Sequence, residues 1–403
     1  MRWLMLTALI CFAGFLIVHD AQAAKRPSAP TSTDLTSRIN FPPYPVPMVY
    51  PVRVGIGSHI PSARIAVWSE GAVFVDFTPI FELRPQFIYL ISDGKITEYA
   101  TGRSCILPTD KRARIASRDM QIWCNSRWYR GSLELIRFPN GKLTVINLLD
   151  LENYLMGVVP SEMPASWHLE ALKAQAVAAR SYAAAHIGPG SKWLRTEGYD
   201  IVPDVRDQAY KGRAAETPKT NNAVAMTMGI ILKDSGKVKP GFYRAWVGDA
   251  FENLNMRTKD IPDGELERLT GVKDIVGVTV RAWDATANAI DIQIMGKKKT
   301  IEVHGVWLAQ KLGLSTAGIL DVRDVGSSWR FTYRGPGNGS RGLSQHGADM
   351  FAARGWNFYQ ILQQYYQDPD GKLRLDYMDG YKVRRVAAPP ASPPAEAEKT
   401  EEE

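Results

Sequence analysis

Residues 153–183 read NYLMGVVPSEMPASWHLEALKAQAVAARSYA, and the second half of this stretch decides the fold. From Ser166 to His186 the chain contains almost only strong helix formers. Ser166 stands where an N-cap is expected, and Gly188-Pro189 is a typical stop signal. One helical face consists of small residues such as Ala178, which lets another backbone approach closely. The stretch therefore predicts a long helix in a packed interior.

Upstream of this helix, from Val52 to about Asn147, short β-type runs alternate with turn signals. The runs are VRVGIG, ARIAVWS, AVFVDF, QFIYLIS, ARIAS, QIWC, LELIRF and LTVINL, and the turn signals include SDGK, GRS and PNGK. The apolar part of LRPQFIYLIS is also compatible with a buried helix. We expect a β-rich region over residues 51–150.

Downstream of the helix, strands and helices are mixed. Runs typical of strands are MGIILKD, VGVTVRAW, AIDIQIMG and WRFTYR, and KTIEVHGVWLAQKLGL predicts a strand that leads into a short helix. DMFAARGWNFYQILQQYYQ predicts one final helix. A β-rich region followed by mixed elements indicates an α+β fold, with residues 151–376 forming a second region around the Ala-rich helix.

The two ends of the chain differ from its body in composition. A cationic start, an apolar run over residues 4–18 and small residues before a cleavage site after Ala23 predict a secretory signal peptide over residues 1–23. A retained membrane anchor is the alternative, although the run is shorter than the roughly 20 residues of a spanning helix. We predict a Pro/Ser/Thr-rich linker over residues 24–50 and a disordered Pro/Ala/Glu tail over residues 387–403.

The chain carries a formal net charge of +7, and residues 387–403 hold five Glu against one Lys, so the rest of the chain is more basic still. A basic exported body suits an anionic partner such as cell-wall polymer or lipid head groups, although solubility alone also accounts for such a charge. Export, together with the lack of basic motifs interleaved with aromatic residues, argues against a nucleic-acid partner. We expect a periplasmic or cell-wall location, with membrane association through the N-terminal segment as an alternative.

The sequence has three cysteines, of which Cys11 lies within the predicted signal peptide. In an exported chain, Cys105 and Cys124 are candidates for a disulfide, whose loop of about 20 residues would stabilise the fold by on the order of 3 kcal/mol. Two buried free thiols are the alternative. Neither thiol has a paired histidine or a metal-ligand spacing nearby in the sequence, so neither is a catalytic candidate.

Residues 153–183 resemble the hallmark stretch of the stage II sporulation protein D family of glycan-strand-cleaving enzymes. NLLDLENYL, DQAYKG, LAQKLGL, GLSQHGADMFAARGW and ILQQYY occur in the family's usual order, so the resemblance covers about residues 50–370. It implies that residues 151–376 are the catalytic region of a lytic transglycosylase that acts on peptidoglycan strands without stem peptides. The alternative role among relatives is a non-catalytic wall-binding protein that stimulates an amidase.

Glu162 occupies the position of the family's catalytic glutamate. It stands between Pro160 and Pro164, which restrict the backbone, and we expect it on a rigid loop just before the helix. Burial against apolar neighbours would raise the pKa of its carboxyl toward neutral pH. These neighbours are Val158, Val159, Met163 and Trp167. A helix cap or an ion pair is the ordinary alternative for a glutamate near a helix start.

The resemblance implies a reaction that uses one carboxyl. The glutamate acts first as acid and then as base, while the 6-hydroxyl of muramic acid attacks the anomeric carbon and leaves a 1,6-anhydro sugar. Ordinary glycosidases need two carboxylates. Asp204 or Asp207, both in PDVRDQAYKG, would supply the second one if the protein were a hydrolase.

Six further residues match short family patterns and are predicted to bind substrate: Lys173, Gln175, Arg180, Tyr182, Gln208 and Tyr210. Lys173 and Arg180 lie on one helical face and would hold the lactyl carboxylate of muramic acid. Gln208 and Tyr210 would hydrogen-bond to sugar or stack on it. The alternatives are a structurally paired basic face for Lys173 and core packing for Tyr210.

The Gly-rich stretch RGPGNGSRGLSQHGA, residues 334–348, departs from the family pattern. The family has a histidine before its Ser-Gln pair, whereas here a glycine or Asn338 takes that place. We predict that Asn338, Ser344 and Gln345 bind substrate and that Asn338 carries no proton. Some relatives hold zinc with a histidine and two downstream cysteines, but no cysteine follows His186 in this sequence, which therefore predicts no metal and no cofactor.

Overall fold

A computed structural model of the 403-residue chain describes residues 48–248, 255–283, 288–335, 342–366, 373–379 and 381. The predicted signal peptide, residues 24–47 of the predicted linker, the predicted tail and Asn338 lie outside these residues. Within the described ranges, none of the helices is long and apolar enough to cross a bilayer.

The first region consists of twelve strands: β1 (Pro51–Ile60), β2 (Ser62–Val67), β3 (Gly71–Val75), β4 (Thr78–Leu83), β5 (Tyr89–Ser92), β6 (Lys95–Glu98), β7 (Ser104–Ile106), β8 (Ala113–Ser117), β9 (Gln121–Cys124), β10 (Arg127–Arg130), β11 (Ser132–Arg137) and β12 (Leu143–Asp150). They form two antiparallel six-stranded sheets. The first has the order β1-β12-β11-β8-β3-β4, and the second has the order β10-β9-β2-β5-β6-β7. Side chains from both sheets contribute to one large hydrophobic core.

The β-rich first region is confirmed, because all eight expected runs contain strands. Alternation between the two faces explains why: in β2, Ala63, Ile65 and Val67 are buried in the core while the residues between them face outward. The ambiguous apolar run is the strand β5 and not a helix. The strands β4, β6, β7 and β10 are not among the eight runs expected from the sequence.

The predicted disulfide between Cys105 and Cys124 is wrong, because both residues are free thiols. Cys105 lies on β7 and Cys124 on β9, and the three strands β2, β5 and β6 separate them in the sheet. Adjacent strands are about 4.8 Å apart, so the two Cα atoms lie well beyond the roughly 7 Å limit for a disulfide. Cys124 is buried in the core, and burial raises the pKa of its thiol to about 12.

The rest of the described chain contains eight α-helices: α1 (Leu151–Glu162), α2 (Leu169–His186), α3 (Leu194–Glu197), α4 (Pro218–Met226), α5 (Asp263–Thr270), α6 (Gly305–Lys311), α7 (Gln345–Ala353) and α8 (Phe358–Tyr365). The long helix α2 is the one predicted from the sequence, but His168 and not Ser166 is its N-cap residue. A turn delays its start, because the amide of Trp167 donates to the carbonyl of Pro164 at 3.1 Å.

The helix α1 corrects the expectation that Glu162 lies on a loop, since Glu162 is the last residue of this helix. Asp150 begins the helix as its N-cap, and its carboxylate accepts a hydrogen bond from the amide of Glu152 at 3.1 Å. Gly157 and Pro160 lie inside the helix. Both residue types disfavour helix in a sequence pattern, which is why α1 is not predicted.

The small-residue face of α2 does accept a close backbone, as predicted. A Cβ atom added to Gly241 would lie 2.2 Å from the carbonyl oxygen of Ala178, so only glycine fits at this position. The contact holds the chain against α2 just before Tyr243, the first residue of the strand β15 (Tyr243–Arg244).

Ten more strands complete the described chain: β13 (Ile230–Asp234), β14 (Lys237–Val238), β16 (Met256–Pro262), β17 (Ile275–Trp283), β18 (Ala289–Gly296), β19 (Thr300–His304), β20 (Ile319–Asp324), β21 (Ser328–Arg334), β22 (Leu343–Ser344) and β23 (Leu375–Tyr377). The elements β16 to β21 enclose a second hydrophobic core and form what we call the inserted module, the described part of residues 256–334. In the chain, this module lies between β15 and β22, which pair in parallel. The α+β class is confirmed.

The final helix expected from the sequence is two helices, α7 and α8. Gly355, with φ +86°, has a left-handed backbone that ends the first helix. Asn357 begins the second one with a capping box, in which its side chain accepts from the amide of Gln360.

Candidate active site

The residues around Glu162 determine where α1 ends. Pro160 lies in the last turn of the helix and has no amide hydrogen to continue the hydrogen-bond ladder. The hydroxyl of Ser161 donates to the carbonyl of Gly157 at 2.7 Å, which closes this turn. Met163 precedes Pro164 and has the extended backbone that a following proline favours, φ −125° and ψ 141°. The helix therefore stops with the Glu162 side chain at its end.

The two oxygens of the half-buried Glu162 carboxyl have different surroundings. Oε1 accepts a hydrogen bond from the amide of Ala209 at 2.6 Å and another from the hydroxyl of Tyr243 at 3.0 Å. No described residue donates to Oε2. One oxygen is thus held in place by the protein, while the other is available to a ligand.

Burial raises the pKa of the Glu162 carboxyl above its ordinary value. The hydrogen bonds from Ala209 and Tyr243 and the positive charges of Arg244 and Lys211 act in the opposite direction, but burial outweighs them. The position at the C-terminal end of a helix also favours the uncharged form of a carboxyl. A raised pKa is what a general acid needs in order to hold its proton near neutral pH.

A series of hydrogen bonds between buried side chains orients the Tyr243 hydroxyl toward the Glu162 carboxyl. The hydroxyl of Tyr154 donates to Oε1 of Gln208 at 3.2 Å, and Nε2 of Gln208 donates to the hydroxyl of Tyr243 at 3.1 Å. Because Gln208 donates to the Tyr243 oxygen, the Tyr243 proton is directed to Glu162. Burial raises the pKa of Tyr243 well above its ordinary value, so this hydroxyl stays protonated.

Gln208 and Tyr210, predicted to touch sugar, are both buried. Gln208 acts on the site through Tyr243 and does not face the solvent. Tyr210 is a core residue, because its ring lies 5.1 Å from that of Tyr154 and its hydroxyl donates to Asn147 at 2.8 Å. The core-packing alternative is therefore correct for Tyr210.

Gln175 and Gln345, also predicted to bind substrate, connect the backbone of Glu162 to the helices around it. Nε2 of Gln345 donates to the carbonyl oxygen of Glu162 at 3.2 Å and to Oε1 of Gln175 at 3.4 Å. Both side chains are buried. They fix the position of the end of α1 and so act on the carboxyl indirectly.

Arg180 corrects the expectation of a cationic stripe that binds substrate. Its guanidinium is fully buried and forms a bidentate ion pair with Glu152, at 2.8 and 2.7 Å. It also donates to the carbonyls of Ile230 at 3.2 Å and Val224 at 3.3 Å. A further hydrogen bond to the carbonyl of Ala176 at 3.5 Å engages the remaining N–H donor. Arg180 therefore joins α1 and α2 to β13 and α4 and has no donor left for a ligand.

Lys173 is similarly engaged within the protein. Its ammonium group is nearly buried and donates to Glu170 at 2.6 Å. The other carboxylate oxygen of Glu170 accepts from the amide of Phe358 at 2.8 Å, which attaches the start of α8 to α2. The paired basic face, the alternative to substrate binding, describes Lys173.

Asp207 and Asp204 are the two candidates for a second carboxylate. Asp207 accepts four hydrogen bonds or ion-pair contacts, from the side chains of Tyr182, Lys192 and Trp193 and from the amide of Val202, at 2.8 to 3.1 Å. Tyr182, predicted to bind substrate, is thereby a buried partner of Asp207. Asp204 is partly exposed and paired with Arg206 at 2.7 Å, and this hydrogen bond lowers its pKa. Neither aspartate contacts Glu162 directly.

A family model described as stage II sporulation protein matches residues 139–233, which contain Glu162 and both long helices of the site. Stage II sporulation protein D of Bacillus subtilis (strain 168) is 30% identical over 280 residues, a match that covers 59% of this chain and 78% of that protein. The chain belongs to the stage II sporulation protein D family. The resemblance seen in the sequence is confirmed.

Two further relatives match shorter parts of the chain. An uncharacterized protein of Brachyspira hyodysenteriae is 38% identical over 129 residues, which is 31% of this chain and 34% of that protein. The amidase enhancer of Bacillus subtilis (strain 168) is 40% identical over 101 residues, which is 25% of this chain and 13% of that protein. The chain therefore spans about a third or less of the length of these two relatives.

In this member of the stage II sporulation protein D family, two exposed cations near Glu162 were not among the predicted site residues. Lys211 and Arg244 both act on the Glu162 charge, and both are exposed. Among the described residues, neither forms an ion pair with a carboxylate. Lys211 lies within the family-like DQAYKG, which is the signal that points to it in the sequence. Arg244 has no comparable signal, because it follows Tyr243 on a two-residue strand.

The Ser-Gln pair of the stage II sporulation protein D pattern serves the fold in this chain. The hydroxyl of Ser344 caps α7 by accepting from the amide of Gly347 at 3.2 Å, and Ser344 is buried. This corrects its prediction as a substrate-binding residue. His346 is stacked on Trp246 at 3.8 Å, and burial lowers the pKa of its imidazole. Within the described residues, no group of three His, Cys, Asp or Glu side chains is placed to hold a metal ion.

Proposed function

We propose that this chain is an exported lytic transglycosylase that cleaves peptidoglycan glycan strands, with Glu162 as its single acid and base. Membership of the stage II sporulation protein D family and the match to an amidase enhancer support a cell-wall-related function. The proposed enzymatic activity rests on the Glu162 carboxyl. This carboxyl has a raised pKa, one oxygen that accepts from two donors and one oxygen to which no described residue donates.

The reaction begins with Glu162 protonated on the free oxygen, Oε2. The proton passes to the glycosidic oxygen as the bond from that oxygen to the anomeric carbon breaks. The carboxylate that remains is stabilised by the amide of Ala209 and the hydroxyl of Tyr243, both of which donate to Oε1. It then accepts the proton of the muramic acid 6-hydroxyl while that oxygen attacks the anomeric carbon. A 1,6-anhydro sugar and a free hydroxyl on the leaving sugar are formed.

An internal nucleophile suits a site with one free carboxyl. The 6-hydroxyl is part of the same sugar and needs no separate binding step, which lowers the entropic barrier. The hydrolase alternative needs a second carboxylate to activate water. Asp207 is fully occupied by internal donors, and Asp204 is paired with Arg206, so neither supports that role.

The substrate class follows from the charges beside the carboxyl. Muramic acid without a stem peptide carries a free lactyl carboxylate, and the exposed cations Lys211 and Arg244 are unpaired with acids in the described structure. A charge-assisted hydrogen bond from either cation would hold this carboxylate. We therefore assign denuded strands as the preferred substrate.

A second candidate function is stimulation of an amidase without cleavage. The observation that favours it is the missing histidine of the family's Gly-rich pattern, where this chain has a glycine or Asn338. The amidase-enhancer relative supports it as well.

The test is incubation of the mature protein with denuded strands and with peptide-bearing muropeptides, followed by mass spectrometry of the products. Wild-type protein is expected to produce anhydro-muramic ends from denuded strands, and Glu162→Gln none, because glutamine keeps the acceptor oxygen but cannot give up a proton. Asp204→Asn is the matched control and is expected to retain activity. Cleavage by Glu162→Gln at the wild-type rate would contradict the proposal. Absence of cleavage by wild-type protein, with faster turnover of an added amidase, would establish the second candidate.

A further inference from the structure

Tryptophans lie on the outer face of the second sheet, where they are not part of the hydrophobic core. Trp123 on β9 is paired in register with Trp128 on β10, so both lie on the same face of the sheet. The residues that alternate with Trp123, Ile122 and Cys124, are buried on the opposite face. Trp68 directly follows β2, the strand next to β9, and its ring lies 6.0 Å from that of Trp128 in an edge-on arrangement.

Trp68 is the most informative member of this group, because it is 73% exposed. A single exposed apolar residue needs no explanation. Here, however, Trp68 and Trp128 form the walls of a cavity of about 410 Å³ that opens to solvent, together with Gln121, Arg213 and Ala214. Indole rings beside an amide and a guanidinium are the chemistry of a ligand site, and cross-strand stabilisation alone would not leave Trp68 uncovered.

Arg213, the charged residue among those that line this cavity, is positive and unpaired in the described structure. Arg213 is exposed and forms no ion pair with any described residue. Arg64 lies on the same outer face of β2, four residues before Trp68, and is likewise exposed without an acidic partner in the described structure. A ligand that suits this surface has flat apolar faces for the indoles and carboxylates for the arginines.

A short segment of the chain links the cavity to the residues that contact the Glu162 carboxyl. Arg213 is four residues after Ala209, whose amide donates to Glu162. Four residues span at most roughly 14 Å, so this cavity residue cannot be further than that from the Ala209 backbone. The segment is also held down, because a Cβ atom on Gly212 would lie 2.5 Å from the carbonyl oxygen of Trp128. A strand of several sugars is long enough to cover this distance.

We propose that Trp68, Trp128 and Arg213 form a second glycan-binding subsite, which holds a sugar of the same strand away from the bond that is cut. The indoles contact the apolar faces of the pyranose rings, and Arg213 binds a lactyl carboxylate. The ligand class rests on the proposed function, whereas the existence of the subsite rests on the aromatic cavity and its charge. The subsite would retain the strand between successive cuts.

The test measures binding in the Glu162→Gln background, where the strand is not consumed. Denuded strands of four or more disaccharides are titrated into Glu162→Gln protein and into the double variants with Trp68→Ala or Arg213→Gln, by calorimetry. Trp68→Ala is expected to weaken binding on the order of tenfold, the equivalent of one aromatic contact. Tyr99→Ala, which removes a ring that is 80% exposed in the turn after β6 and outside the cavity, is the control and is expected to change nothing.

The role of Arg213 is separated by the choice of sugar. Arg213→Gln is expected to weaken binding of the muramic strand severalfold and to leave binding of an N-acetylglucosamine oligomer unchanged, because that oligomer has no carboxylate. Equal affinity of Trp68→Ala and the parent for the strand would overturn the subsite. Loss of binding to a purified amidase without any change for the strand would also overturn it and would indicate a protein-docking surface.

The two proposals fail in distinguishable ways. Cleavage by wild-type protein is recorded separately, on short strands that reach only Glu162. If cleavage is absent while binding still depends on Trp68, the lytic activity is wrong and the glycan subsite stands. If cleavage occurs and binding ignores Trp68, the subsite alone is wrong.

Discussion

At the scale of single residues, the hydroxyl of Tyr243 sets how readily Glu162 loses its proton. It donates to the carboxylate form and lowers the pKa of Glu162, against the larger effect of burial. The proposed reaction begins with a protonated Glu162, so activity is expected to fall as the pH rises through the pKa of this carboxyl. The position of this fall on the pH axis reports the balance between burial and hydrogen bonding.

Tyr243→Phe is predicted to move that fall to higher pH by about one unit, because a hydrogen bond to a charged group contributes roughly 1.5 kcal/mol. The measurement is kcat/KM for denuded strands as a function of pH. Tyr359→Phe, at an exposed tyrosine on α8, is the control and should keep the wild-type profile. A fall that moves to lower pH in Tyr243→Phe would contradict the assigned direction.

The pKa of the Glu98 carboxylate is shifted downward, in the opposite direction to that of Glu162. Burial raises the pKa of Glu98, but hydrogen bonds from Thr101, Arg84 and Arg103 outweigh it and hold the pKa at about 2. Since the pKa is about 4.3 in an unfolded chain, Glu98 stabilises the fold above that pH, and the contribution disappears as the pH falls toward 2.

Glu98→Gln is therefore predicted to lower the free energy of unfolding by up to about 3 kcal/mol at pH 7 and to make little difference near pH 2. Denaturant unfolding of both proteins across this pH range measures the difference. A stability difference that is constant from pH 7 to pH 2 would show that the charge of Glu98 is not responsible.

At the scale of secondary-structure elements, the position of Glu162 depends on how α1 packs. A Cβ atom added to Gly157 would lie 2.5 Å from the ring of Tyr210, which is buried and held by Asn147. Alanine at this position would normally favour the helix. Here the clash dominates, because the buried ring has no space into which it can move.

Gly157→Ala is predicted to destabilise the protein by about 1 to 3 kcal/mol and to lower kcat, since α1 ends at Glu162, the proposed acid and base. Thermal unfolding and strand cleavage are the two readouts. The matched control is Gly264→Ala on α5, where an added Cβ atom meets nothing within 4 Å, so stability should be unchanged or slightly higher. Equal stabilities of the two variants would contradict the packing argument.

The buried pair of Arg180 and Glu152 joins α1 to α2. Arg180→Met is predicted to reduce the free energy of unfolding by about 3 to 5 kcal/mol, because Glu152 is left as an uncompensated buried charge. Lys173→Met removes a pair whose Glu170 partner is 30% exposed, and it should cost about 1 kcal/mol or less. Urea unfolding compares the two. A variant Arg180→Met with native stability and a raised KM would restore Arg180 as a ligand of substrate.

The sequence predicts elements best where the hydrophobic period is regular. The alternating runs of the first region and the Ala-rich helix α2 are correct for this reason. The sequence-based prediction fails at α1. Gly157 and Pro160 disfavour a helix in the sequence pattern, whereas tertiary packing stabilises this helix in the protein. The role of Arg180 is missed for a related reason: a helical face shows which side chains align, but it does not show whether the partner is a ligand or a buried carboxylate.

At the scale of the whole molecule, the site is assembled from four separated parts of the chain. Glu162 ends α1, Ala209 lies in the loop before α4, Tyr243 begins β15 and Gln345 begins α7. Only the resemblance to a family identifies Glu162 in advance, since no periodic pattern indicates that Ala209 and Tyr243 meet its carboxyl. The inserted module has its own core and lies between β15 and β22, so a large part of the chain separates two strands that meet beside the site.

The central claim is that one carboxyl and the substrate's own hydroxyl are sufficient for cleavage. The most direct measurement is cleavage of denuded strands in water enriched in oxygen-18, with mass spectrometry of the new ends. We expect anhydro-muramic ends without oxygen-18 from wild-type protein and no new ends from Glu162→Gln. Reducing ends that carry oxygen-18 would show that water is the nucleophile and would contradict the proposed single-carboxyl reaction.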